Sequence, residues 1–92
     1  MDGDERRFAP SKAMVWTDNG GPILLFDQDR GSYHSLNKQA SEMWRMIADG
    51  ANRTQIVAAL ASSYEAPEGV LAADVADFLD SATASGLIVV RA

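Results

Sequence analysis

"RGSYHSLNKQASEMW", residues 30–44, changes character halfway through. Arg30 to Leu36 reads as the end of a turn leading into a short strand. From Asn37 the apolar residues fall at helical spacing, with Ala40, Met43, Trp44 and Ile47 recurring at i, i+3, i+4 and i+7. The strand half is polar, and only Tyr33 and Leu36 offer much apolar surface. A strand that buries so little, running straight into an amphipathic helix, is expected at the edge of a sheet. The stretch therefore predicts an α+β fold and raises the question of what that edge is for.

Toward the N-terminus, Gln28-Asp29-Arg30-Gly31 reads as a reverse turn, with Gly31 supplying a left-handed residue. Before it, Ile23-Leu24-Leu25-Phe26-Asp27 is apolar on both faces, as a central strand is. Asn19-Gly20 is a hairpin signal for a type I′ turn, which needs positive φ at both central residues. A first strand at Ala13–Asp18 completes a three-stranded antiparallel meander. Residues 1–12, mostly charged or small, are expected to form a flexible N-terminal arm, leaving 13–92 as one domain.

Toward the C-terminus, Asn37 is a good N-cap for the first helix and Gly50 ends it. Asn52 followed three residues later by Gln55 is a variant of the capping box. It announces a second helix with Ile56, Leu60 and Tyr64 on one face. Pro67 precedes a third helix over about 68–85, stopped by Gly86, and Leu87 to Val90 is an apolar tail that can fold back on the core. Three strands, then three helices with a tight turn between the first two, predict a winged-helix-turn-helix-like arrangement.

Composition narrows the function. The 92 residues carry thirteen acidic against eight basic side chains, for a net charge of −5. That field repels phosphate backbones, and the third helix holds no Lys or Arg, so a winged-helix DNA-binding or dimerisation module is the disfavoured alternative. With no cysteine, disulfides, thiol catalysis and thiolate metal sites are excluded. No apolar run approaches the ~20 residues of a membrane span, and the N-terminus lacks a signal-peptide core, which predicts a cytoplasmic protein. His34, the lone histidine, has no nucleophile or ligand cluster beside it in sequence. Asp27 and Asp29 flank a turn, where aspartate bonds the local backbone. Nothing assembles into an active site: the chain reads as a non-enzyme without cofactor or metal.

Binding remains. On a helical wheel of about 100° per residue, Leu71, Val75, Phe78 and Ala82 form the core stripe of the third helix. Val70, Asp74, Asp77 and Ser81 lie on one flank; Ala72, Ala76, Leu79 and Thr83 lie on the other. Two aspartates one turn apart make an acidic lip beside an apolar surface. An unpaired edge strand near such a helix can accept a partner peptide as an added strand, with backbone bonds giving affinity and side-chain pockets giving specificity.

Asp27-x-x-x-Gly31-x-Tyr33-x-x-Leu36-Asn37, then Trp44, Asp74-Val75-x-x-Phe78-Leu79 and Gly86-Leu87-Ile88 together resemble the PqqD-like family. These are recognition elements of ribosomally made, post-translationally modified peptide pathways. The Val15-Trp16-Thr17-Asp18 opening and the small size are most similar to the separate leader-binding component of lasso-peptide systems. The resemblance implies that a precursor's leader peptide lies antiparallel along the third strand, between it and the third helix. Ser32, Tyr33, His34, Ser35 and Leu36 would supply the strand. Val70, Asp74, Asp77, Phe78 and Ser81 would line the helical side, with Phe78 and Val70 taking apolar anchors and the aspartates taking leader Lys or Arg. The implied partners are the precursor peptide and a leader peptidase or other maturation enzyme. Neither nucleic acid nor membrane is implied, though a homodimer paired through strands is compatible with the pattern. Where the family often has Thr-Gly early in the first helix, this chain reads Gln39-Ala40-Ser41.

Overall fold

The computed structural model describes residues 6–91. In chain order the elements are β1 (Phe8–Pro10), β2 (Met14–Trp16), β3 (Leu24–Asp27), β4 (Ser32–Ser35), α1 (Lys38–Ala48), α2 (Arg53–Ser63), α3 (Glu68–Ala84) and β5 (Ile88–Val90). The expected meander is β2-β3-β4, antiparallel throughout, with β3 central and β4 at an edge. The fold is α+β, as the sequence predicts.

The local signals act through the chemistry that makes them signals. Asn37 Oδ1 accepts from Ala40 N–H at 2.8 Å and caps α1. Asn52 and Gln55 form the reciprocal capping box, each side chain accepting from the other's backbone N–H at 2.8 and 2.9 Å. Gly31, Gly50 and Gly86 hold φ of 68°, 87° and 79° where the turn and the two helix ends need a left-handed residue. Trp44, Ile47, Leu25 and Ile23 are almost fully buried where α1 meets the inner face of the sheet. Each such side chain contributes roughly 1.5–3 kcal/mol. Trp16 meets Trp44 edge-on, with ring centroids 5.3 Å apart.

Four expectations are revised. The arm is shorter than residues 1–12: Phe8–Pro10 pairs antiparallel with Ile88–Val90 in a second, two-stranded sheet, and Phe8 is buried. The apolar tail thus folds back as a strand, and Phe8 outweighs its charged neighbours by filling core space. Residues 1–5 lie outside the described residues. Asn19 is not in a left-handed conformation, so Asn19-Gly20 does not form a type I′ turn. A longer loop spans β2 and β3, held by Asp18 and Asn19 accepting from the N–H groups of Gly20 and Gly21. Arg45 completes it, donating to Asp18 Oδ2 at 2.8 Å and to the Gly21 carbonyl.

The third revision concerns β3, which is buried on one face only. Leu25 is fully buried and Leu24 is 52% exposed, because no element among the described residues covers the outer face at Leu24. The fourth is the rotation of α3. Leu79 is buried with Leu71, Val75 and Ala82, while Phe78 is half-buried at the margin of the stripe. Packing of α3 against α2 and β5 draws the core face toward Leu79.

Candidate functional site: the free edge of β4 and the flank of α3

Three contacts hold β4 in place. At its start, the buried carboxylate of Asp27 accepts from the N–H groups of Asp29 and Arg30 at 2.9 and 3.2 Å, fixing the turn. The Arg30 guanidinium then reaches across to α3, donating to the Ser85 carbonyl at 2.5 Å. A cation at a helix C-terminus is favourably placed against the helix dipole. At the other end of the strand, Ser41 of α1 is buried; its Oγ accepts from Ile23 N–H at 2.9 Å and donates to the Leu36 carbonyl at 3.3 Å. Ser41 thus clamps the start of β3 and the exit of β4 onto α1.

The pairing register decides which way each β4 residue faces. Leu24 pairs with Ser35, Leu25 with His34, Phe26 with Tyr33 and Asp27 with Ser32. Leu36 N–H bonds to the Ile23 carbonyl, so by antiparallel alternation the N–H and C=O groups of Ser32 and His34 also turn toward β3. Those of Tyr33 and Ser35 turn to the open side. The edge therefore offers two donors and two acceptors to an incoming strand. Side chains alternate the other way: Ser32 and His34 share the inner face with Leu25, and Tyr33 and Ser35 share the outer face with Leu24 and Phe26.

The helical side is as open as the edge. Val70 is 51% exposed, Asp74, Asp77 and Ser81 are exposed, and Phe78 is half-buried beside them. The Arg30–Ser85 bond ties the turn before β4 to the end of α3, at one end of the open space, or trough, between the two elements. His34 is half-buried, and its Nε2 is sealed from solvent with no hydrogen-bond partner. A buried nitrogen left unmatched costs about 1–3 kcal/mol. Leu36 is placed differently from the other strand residues: it is buried in the core, beyond the end of β4.

Two surface concavities lie elsewhere. One of about 270 Å³ sits at the α1–α2 turn beside Arg7, Asp49 and Gln55, and one of about 220 Å³ lies between the β2–β3 loop and α1. Neither carries a constellation suited to catalysis, and no group of three or more metal-ligating side chains occurs among the described residues. An open trough is the shape that strand addition requires, since the ligand itself supplies the missing wall. No helix among the described residues is long and apolar enough to cross a membrane. Residues missed by sequence reasoning are the positioning ones, Arg30 and Ser41. Gly31 pointed to the turn, but nothing local signalled either long-range bond.

Comparison with known proteins bears on this geometry. The family model for coenzyme PQQ synthesis protein D (PqqD) matches residues 23–88, from β3 to the start of β5. The chain belongs to the PqqD family. Its fold is similar to that of TbiB1, solved in complex with the TbiA(beta) leader peptide, with a TM-score of 0.84 and 24% identity over 91% of this chain and 98% of that one. It is also similar to a lasso peptide synthetase B1 complexed with the leader peptide, with a TM-score of 0.81 and 22% identity over 89% of this chain and 96% of the other. A search of curated protein sequences finds no significant match. The PqqD match spans both β4 and α3.

Proposed function

We propose that this PqqD-family chain is a non-catalytic, cytoplasmic binding protein for the leader peptide of a ribosomally made precursor, most consistent with a lasso-peptide pathway. The leader adds antiparallel to β4, bonding through Tyr33 and Ser35, and its inward side chains fill the trough bounded by Val70, Asp74, Asp77, Phe78 and Ser81. The bound precursor is then delivered to a leader peptidase or other maturation enzyme. The observation that carries this reading is the open edge of β4 among the described residues, tied through Arg30 and Ser85 to an α3 whose Val70, Asp74, Asp77 and Ser81 are exposed. Similarity in fold to two proteins solved with leader peptides supports it. The acidic flank also disfavours phosphate backbones as the ligand, because every contact would be repulsive.

The direct experiment is titration of a fluorescein-labelled leader peptide, taken from the precursor gene neighbouring this one, into the purified chain. Saturable binding with 1:1 stoichiometry is expected. Absence of binding up to about 50 μM, weaker than about −6 kcal/mol, would remove the proposal.

A further inference from the structure

The outer face of the meander carries exposed apolar side chains. Val15 of β2, Phe26 of β3 and Tyr33 of β4 stand in one row across the three strands, because Val15 pairs with Phe26 and Phe26 with Tyr33. Val15 is 47% exposed and Tyr33 67% exposed, and Leu24 beside them is also open. A row of apolar side chains on a small domain's surface marks an interaction site more often than scattered exposed residues do. The Phe26 and Tyr33 rings lie 4.8 Å apart, tilted by 47°. Tyr33 is thus supported on its β3 side by another ring, while its other side faces the place of the next strand, about 4.8 Å away.

We infer that the outer row is a second reading surface for the bound peptide, and that Tyr33 selects an apolar or aromatic residue on the peptide's solvent-facing side. The inference rests on strand addition at β4 and deepens it. An added antiparallel residue opposite Tyr33 exchanges both backbone bonds with it and places its side chain on the same outer face. It extends the row Val15–Phe26–Tyr33 by one member. Its two neighbours in the peptide stand opposite Ser32 and His34 and point inward to the trough and Phe78. A peptide that reads only the trough would need apolar residues at alternate positions. The outer row demands a different pattern, in which an apolar outward residue lies directly next to an apolar inward one. Ser35, the other outward residue of β4, offers no such surface, so the outer selection is confined to one position.

Two sets of measurements test this, both on the full chain. In the first, each position of the labelled leader peptide is replaced by Ser and titrated into the wild type and Tyr33→Thr. Threonine keeps the strand preference and removes the ring, and circular dichroism confirms folding of this exposed-site variant. One position is expected to cost affinity in the wild type and nothing further in Tyr33→Thr, which itself binds roughly threefold to tenfold more weakly, the scale of one cross-strand aromatic pair and its buried area. Positions flanking it are expected to keep their full effect in both proteins. In the second, the cysteine-free chain receives one thiol as Tyr33→Cys or Phe78→Cys and is trapped with single-cysteine leaders. The Tyr33→Cys partner is expected to be the residue adjacent to a Phe78→Cys partner. Leader binding that is equally tight in Tyr33→Thr, with no position changing its effect, overturns the outer-row inference and leaves strand addition standing. A wild type that binds no leader overturns both.

Discussion

Arg30 and Ser85 join the turn before β4 to the end of α3 through one hydrogen bond, from guanidinium Nη1 to a backbone carbonyl, 2.5 Å long. The same guanidinium lies 3.8 Å from the Asp27 carboxylate, which is itself buried and fixes the turn. Asp27 and Arg30, three residues apart, thus tie the turn before β4 to the distant Ser85 at the end of α3. Arg30→Ala is expected to cost about 1 kcal/mol in stability, the low end for a charged bond because the side chain is largely exposed. It is also expected to weaken leader binding, since the walls lose their tie. Urea denaturation and peptide titration of the same variant separate the two effects.

Phe78 borders the core without being sealed into it, the placement an anchor-receiving side chain needs. Phe78→Ala is expected to reduce leader affinity by about 2 kcal/mol, while the fold survives on Leu71, Val75, Leu79 and Ala82. Asp74→Asn with Asp77→Asn is expected to flatten the salt dependence of binding, because exposed charges act over a Debye length of about 8 Å at physiological ionic strength. Titrations at two salt concentrations read both.

Ser41 carries the other end of β4. Its hydroxyl accepts from the buried Ile23 N–H and also reaches the Leu36 carbonyl. Ser41→Ala strands a buried donor and is expected to destabilise the chain by about 1–3 kcal/mol. Ser41→Thr, which retains the hydroxyl, is expected to recover part of the loss in a chemical-denaturation series.

The β2–β3 loop supplies a pH-dependent contact. The Arg45 side-chain hydrogen bond and then the Gly20 N–H hold the Asp18 carboxyl below its ordinary value of 3.8. A lowered folded-state value means the contact's contribution is fully present above about pH 4 and is lost as pH falls below it. The Gly20 amide resonance is expected to titrate in that acidic window in wild type, and the Arg45→Gln substitution should move its midpoint upward.

Much of this architecture is legible locally. Asn37, Asn52 with Gln55, and Gly86 mark helix ends because capping is a short-range bond that needs only the right side chain at the right offset. The polar β4 and the acidic flank of α3 are legible for a similar reason: alternation and helical period are properties of neighbouring residues. The β1–β5 pairing is not, since each strand has three residues and its partner lies at the opposite end of the chain. The rotation of α3 also escapes the wheel. Phe78 and Leu79 are adjacent and both apolar, and only packing against α2 and β5 decides which is buried. Arg30 reads as one more turn residue until the Ser85 carbonyl is in place. Exposure of the outer sheet face is equally hidden, because Leu24 and Phe26 are as apolar as Leu25, and only the assembled strands leave Leu24 exposed and Phe26 half-buried.

Amide exchange along β4 tests strand addition most directly. Wild-type protein, uniformly labelled with nitrogen-15, is compared by hydrogen exchange with and without saturating leader peptide. Strand addition requires the Tyr33 and Ser35 amides, which face the open side, to become strongly protected, while those of Ser32 and His34, already turned toward β3, change little. Binding that leaves Tyr33 and Ser35 exchanging as fast as in the free protein, with protection gained at the α1–α2 turn instead, would contradict it.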